Sequence, residues 1–180
     1  MTDELTATGN APSPSVREHR AAAPDSVRCA ILTVSDTRTV ETDTSGALIR
    51  ELLTAASHTV VEYRIVPDDP AQIGEIVRQW SQHPEIDAIL SNGGTGIASR
   101  DTTYDVIAGL LEKRLDGFGE LFRMLSYAEI GAAAMLSRAI AGVFHDRLIV
   151  AMPGSRNAVN LAMRQLIVPE LGHLVFEIRK

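Results

Sequence analysis

Residues 29–35, CAILTVS, form a short apolar run with no polar alternation, and the polar segment Asp36, Thr37, Arg38 follows directly. A strand with one face in water alternates apolar and polar side chains, whereas an unbroken run belongs to a strand covered on both faces. Downstream, Leu48, Ile49, Leu52, Leu53 and Ala56 recur at helical spacing, behind Asp43, Thr44 and Ser45 as capping candidates. TVVEYRIV, residues 59–66, reads as a second strand, and Ile73, Ile76, Val77 and Trp80 mark one stripe of a second helix. Asp87 to Leu90 supply a third strand. A β-α-β-α-β series of this kind implies a parallel sheet.

The second half breaks the alternation. Val106, Ile107, Leu110 and Leu111 mark a helix, and Phe118, Leu121, Phe122 and Leu125 mark another. Two strand-like runs follow, Ala139 to Phe144 and Arg147 to Met152, with only His145 and Asp146 between them. A hairpin fits that spacing and adds an antiparallel edge to the sheet. After Pro153, Gly154 and Ser155, the residues Val159, Met163, Leu166 and Ile167 mark a helix stopped near Pro169, and Leu171, Leu174, Val175 and Ile178 a last one. The expected fold is three-layer α/β: a mostly parallel sheet, helices on both faces and an antiparallel edge hairpin.

With 180 residues the chain has the size of one domain. Residues 1–26 carry Asp3 and Glu4, then Ala, Pro, Ser and Thr without a hydrophobic stretch, so a disordered tail is expected there and a single domain over 27–180. No apolar stretch approaches the roughly 20 residues that cross a bilayer. The formal charge of −6, from 17 basic and 23 acidic residues, comes with no basic cluster, which argues against a nucleic-acid partner. The lone Cys29 cannot form an internal disulfide and is expected as a buried thiol; a reducing cytoplasm fits it.

Chemistry concentrates in LSNGGTGIASRDTTYD, residues 90–105. Loops after strands of an open α/β sheet carry its ligands. Gly93, Gly94 and Gly96 lack β-carbons, so their amides can close on an anion such as phosphate; a tight turn needing glycine for geometry alone is the alternative. A P-loop is excluded, because no Lys follows the glycines. A dinucleotide fingerprint fails too: Ser99 replaces its last glycine, and the loop follows the third strand where the first is required. Asp69, before Pro70 and three residues ahead of Gln72, suits a helix cap. Asp68 has no such task and faces the same sheet edge as the loop, as a surface acid or a functional one. Asp101 could cap the helix starting near Thr102, hold a metal, or do both. Basic residues near the loop in sequence are limited to Arg100 and Arg138. A magnesium ion on Asp68 and Asp101, expected at adjacent strand ends, would neutralise a bound phosphate. The five histidines are scattered without zinc-ligand spacing, and no Ser, Cys or His nucleophile motif is present.

The pieces ILTVSDTR, VPDD, GGTGIASRD, GFGELFRMLSYAEIG, MLSRAIAG and MPGSRNAV run in order from about Arg28 to Pro169. In that order they resemble the MoaB/MogA family of molybdenum cofactor biosynthesis proteins, and FGELFRMLS, SRAIAG and AMPGS are most similar to its B branch. The resemblance implies adenylyl transfer from ATP to molybdopterin with Mg2+, releasing pyrophosphate. It assigns catalysis and metal binding to Asp68 and Asp101, and phosphate contacts to Gly93, Gly94, Thr95 and Gly96. Ser137, Arg138, Pro153, Gly154 and Ser155 would line the rest of the pocket, with Asp36 and Ser126 as further candidates. It also implies a cytoplasmic homotrimer or homohexamer that hands its product to a molybdenum-insertion protein. Two other activities attach to similar sequences: pterin binding without adenylylation in part of the B branch, and nucleotide pyrophosphatase activity in competence-damage proteins. This chain departs from the family at Thr102, Thr103, Tyr104 and Asp105, where V-T-P-E is usual, and at Asn92, where Thr is common.

Overall fold

The apolar run at the start of the ordered sequence becomes strand β1, Arg28–Val34, and from Cys29 onward all of it is buried. The fold is taken from a computed structural model that describes residues 22–180. Alternate residues of β1 face opposite ways: Cys29 and Ile31 enter one apolar core, Ala30, Leu32 and Val34 the other. Two cores explain why no polar alternation is written into the strand.

Helix α1, Thr44–Ala55, is capped by Asp43, whose side chain accepts from the Gly46 amide. Strand β2, Thr59–Val66, pairs parallel to β1. Helix α2, Pro70–Ser81, begins at Asp69, which accepts from the Gln72 amide as the sequence indicated. Strand β3, Ala88–Asn92, lies on the other side of β1, so the sheet order changes direction between β1 and β3. The third strand is displaced from its expected bounds of 87–90. Asp87 stays outside it as a buried carboxylate held by Arg28 and Arg179, and the strand runs on through Ser91 and Asn92.

Beyond the glycine loop come α3, Thr103–Leu110, the two-residue strand β4, Lys113–Arg114, and α4, Asp116–Ile130. A 3-10 segment, Gly131–Leu136, leads to β5, Ile140–Phe144, and β6, Arg147–Met152. These two form the expected antiparallel hairpin. His145 and Asp146 at its tip both have positive φ, 49° and 57°, the twist that a two-residue hairpin turn requires. Strand β6 joins β3 in parallel, giving six strands in the order β2-β1-β3-β6-β5-β4. The edge strand β4 was not foreseen. It is two exposed, charged residues long, and it fits against β5 because Gly142 has no side chain to strike the Lys113 carbonyl.

The end of the chain also differs from expectation. Helix α5, Arg156–Ala162, passes through a π turn at Met163–Ile167 directly into α6, Val168–Arg179. Pro169 lies in the first turn of α6, where its missing amide costs no helical hydrogen bond. One face of the sheet is covered by α1, α4, α5 and α6, the other by α2 and α3. Most of the expected tail, residues 1–21, lies outside the described residues; Pro24 already rests against Gly172 of α6.

Candidate functional site

The ends of β1, β3 and β6 converge where the strand order reverses, and a crevice of about 430 Å³ opens there. This is the position at which open α/β sheets bind ligands. Its walls are three loops: Thr33 to Ser35 with Arg38, Asn92 to Gly96 with Asp101, and Pro153 to Ser155. Leu136 and Ser137 close the remaining side.

Glycine is required in the middle wall. Gly93 has φ of +96°, and a β-carbon on it would collide with the Val34 carbonyl oxygen. Gly94 has φ of +62°, and a β-carbon there would occupy the place of Thr103 Oγ1 and Asp68 Oδ2. At Gly96 the space is filled by the Asp101 carboxylate. Both acids singled out in the sequence are therefore packed against this loop, one at each end of the GTG segment.

Two expectations about these acids need correction. Asp68 and Asp101 do not stand on adjacent strand ends, because β1 separates β2 from β3; the loop after β3 folds back to reach Asp68. Asp68 caps no helix, as expected, but it carries a structural duty that the sequence did not show: its Oδ1 accepts from the Thr102 amide at 3.0 Å and from the Thr102 hydroxyl, at the residue just before α3. Asp101 does not cap α3. Its Oδ2 accepts from the Ala98 amide at 2.9 Å, closing a turn within the loop. Asp36 Oδ1 accepts from the Asp68 amide at 3.1 Å and so joins the β1 and β2 loops; of these three acids, Asp101 is among the residues lining the crevice, and Asp36 and Asp68 are not.

Arg138 stands outside the loop. Its Nε donates to the Thr95 carbonyl at 3.0 Å, its terminal nitrogens pair with Asp105, and its guanidinium lies over the Tyr104 ring. Tyr104 and Asp105 are two of the departures from the family pattern, and here they clamp the arginine that steadies the loop. Ser126 is buried on α4 and is not among the residues lining the crevice.

The basic side chain that does line the crevice is Arg38, which proximity in sequence to the glycines could not reveal. Arg38 donates to Asp43 Oδ1 at 3.0 Å and to the Gly154 carbonyl at 3.2 Å, and Ser45 Oγ donates to the same carbonyl at 2.9 Å. Asp43 is 1% exposed. Burial alone would raise its pKa, but donors from Gly46, Thr33, Tyr63 and Arg38 outweigh that and hold it below the usual carboxylate range. Asn92 completes the network by donating from Nδ2 to Thr33 Oγ1 at 2.8 Å. Because the Thr33 hydroxyl donates to Asp43, it can only accept from Asn92, which fixes the Asn92 amide. Asn92 Oδ1 then has no partner among the described residues. The SDTR motif carried a signal for Arg38, and Asn92 stood out as a departure from the family pattern; nothing local assigned Thr33 or Asn92 a place in this network.

Cys29 is fully buried, and burial pushes its thiol up to about 12, so it is inert packing. No helix among the described residues is long and apolar enough to cross a membrane.

Fold and crevice together define a three-layer α/β protein with a glycine-walled crevice at its strand-order reversal. Residues 30–173 match the family profile described as a probable molybdopterin binding domain. The chain is 58% identical over 167 residues to molybdenum cofactor biosynthesis protein B of Halalkalibacterium halodurans, covering 92% of this chain and 98% of that one. A crystal structure of a molybdenum cofactor biosynthesis protein B superposes with a TM-score of 0.85 at 53% identity, over 87% of this chain and 98% of that chain. The tungsten cofactor synthesizing protein MoaB of Pyrococcus furiosus gives 0.79 at 36% identity, over 88% and 100%. The chain thus belongs to the MoaB/MogA family of molybdenum cofactor biosynthesis proteins.

Proposed function

We propose that this protein transfers an adenylyl group from ATP to molybdopterin. The observation that carries the proposal is the packing of Asp68 and Asp101 against Gly94 and Gly96, which sets two carboxylates beside a loop bare enough to meet phosphate. In the transfer, a phosphate oxygen of molybdopterin forms a bond to the α-phosphorus of ATP, the bond to the β-phosphate bridge breaks, and pyrophosphate leaves. A phosphate oxygen is already a nucleophile, so the protein need only align the partners and offset their charge.

Magnesium suits the donor set. Among the described residues no three His, Cys, Asp or Glu side chains gather as a metal cage, and magnesium binds through one or two carboxylates with phosphate and water making up the rest. Asp68 and Asp101 are the residues that would hold it, and bound there it would polarise the phosphoryl group. The loop amides bind the nucleotide phosphates, and Arg38 contributes positive charge at the opposite wall. Ser137, Pro153, Gly154 and Ser155 shape the rest, and Arg138 acts through Thr95 to steady the loop.

The proposal includes a cytoplasmic assembly of three or six copies that passes its product to a molybdenum-insertion protein. Support for assembly comes from exposed apolar side chains along α4 and the following 3-10 segment: Leu121, Met124, Tyr127, Ile130, Met135 and Leu136. Purified protein given ATP, Mg2+ and molybdopterin should release pyrophosphate and form adenylylated pterin, and Asp101→Asn should lose turnover while retaining pterin binding. A wild-type protein that makes no product would remove the catalytic claim. The competing function, pterin binding without catalysis, is favoured by one observation: Asp68 Oδ1 already accepts two hydrogen bonds. Titration showing pterin affinity and no ATP affinity would select it.

A further inference from the structure

The two carboxylate oxygens of Asp68 have different surroundings. Oδ1 accepts from the Thr102 amide at 3.0 Å and from the Thr102 hydroxyl. Oδ2 lies beside Gly94 and accepts no hydrogen bond among the described residues. We infer that Thr102 determines which divalent cation Asp68 accepts: its hydroxyl closes Oδ1 and so favours magnesium over the larger calcium. This role rests on the reading of Asp68 as a magnesium ligand and adds to it the residue that sets the ion preference.

The direction of the Thr102 side chain carries the argument. Thr102 is the N-cap residue of α3. A threonine in that position ordinarily accepts, through its hydroxyl, from an amide of the first turn. Here no side-chain cap hydrogen bond forms, and the hydroxyl donates instead to an acid 34 positions away at the end of β2. Holding the two segments together does not require it. The Thr102 amide already ties them, and the Thr103 amide fastens the start of α3 to the Gly94 carbonyl at 2.9 Å. What the hydroxyl adds is a second hydrogen bond on the same carboxylate oxygen.

That second bond has a chemical consequence. A carboxylate oxygen has two lone pairs, and two donors on Oδ1 use both. A cation then meets Asp68 through Oδ2 alone. Magnesium keeps a tight octahedron in which waters and phosphate oxygens fill most places and a carboxylate contributes one oxygen; calcium takes more oxygens and readily accepts both from one carboxylate. Closing Oδ1 leaves the contact that magnesium uses and removes one that calcium exploits.

The test measures ATP binding to the full chain by calorimetry, with Mg2+ or Ca2+ as the sole divalent ion and without molybdopterin, so that no turnover is needed. Wild type should bind ATP more tightly with Mg2+. Thr102→Val keeps the amide donor and the side-chain shape but removes the hydroxyl, and it should shift the preference toward Ca2+ by about tenfold. Thr102→Ser keeps the hydroxyl and should retain the wild-type preference. Because the effect runs through Asp68, Thr102→Val should cause no shift in an Asp68→Asn background. Thermal melting confirms that every variant folds. An unchanged preference in Thr102→Val, a shifted one in Thr102→Ser, or the same shift without the Asp68 carboxylate would overturn the inference. So would wild-type ATP binding that is equal with and without a divalent ion. Adenylyl transfer is scored separately: the expected shift in a protein that forms no adenylylated pterin would support the role of Thr102 while removing the catalytic claim.

Discussion

Asp68 at the end of β2 holds the start of α3 by accepting from both the amide and the hydroxyl of Thr102. One carboxylate oxygen is thus structural while the other lies against Gly94, so the same residue connects fold and site.

That division predicts different effects for two substitutions. Asp68→Asn keeps an acceptor for the Thr102 amide and should cost less than about 1 kcal/mol, whereas Asp68→Ala strands two donors and should cost about 1–3 kcal/mol. Both should abolish magnesium-dependent adenylyl transfer. Urea unfolding measured beside the transfer assay checks this, and equal unfolding midpoints would show that the Thr102 contacts carry no stability.

Glycine positions give a second prediction with an internal control. Gly93→Ala forces a β-carbon against the Val34 carbonyl at positive φ, so the variant should lose ATP binding together with several kcal/mol, on the order of 2–4, of stability. Gly109, within α3, has nothing within 4 Å of where its β-carbon would stand. Gly109→Ala should stabilise by roughly 0.5–1 kcal/mol and leave activity unchanged. Thermal melting and nucleotide titration on the pair separate backbone strain from a general intolerance of substitution.

Much of this fold could be read in the residues, and the exceptions share a cause. The runs at β1, β2 and the β5–β6 hairpin are apolar enough to declare themselves, and Asp69 with Pro70 and Gln72 announces α2 through local hydrogen bonding alone. Strand β4 is too short and too polar for periodicity to register, and the π turn at Met163–Ile167 keeps an apolar stripe that straight helical spacing reads as a stop near Pro169. In the site, the glycines and both acids were visible as residue types. The contacts of Arg38 with Gly154, and of Asp68 with Thr102, span 116 and 34 positions. Contacts of that range depend on strand order, and no local pattern encodes which strands become neighbours.

Acid should loosen the crevice through Asp43. Its folded pKa lies below the ordinary value, so its contribution to stability is complete above about pH 3.9 and is lost as pH falls through the lower folded value. Asp87, lowered by its arginine partners despite burial, adds a loss in the same window. Asp43→Asn should be less stable than wild type near neutrality, with a gap that narrows as pH falls below about 4. Urea unfolding across that range measures the gap; a constant difference would mean that Asp43 does not titrate differently on folding.

A milder pH effect should come from His58, at the start of β2. Its Nδ1 accepts from the Val27 amide at 3.2 Å, and burial lowers its pKa below the usual value. The folded protein therefore prefers the neutral ring, and the unfolded chain binds the extra proton first. Stability is complete above about pH 6.5, declines as pH drops from there to the folded pKa, and changes no further through this group below it. His58→Asn presents a carbonyl oxygen where Nδ1 stood but cannot titrate. It should match wild type above neutrality and lack the decline that sets in below about pH 6.5. Amide exchange at Val27 provides the local readout: in wild type its protection relative to the intrinsic rate at each pH should fall below about pH 6.5 in step with the loss of stability, and in the variant it should not. Parallel declines in both proteins would assign the effect to other groups and leave His58 a packing residue.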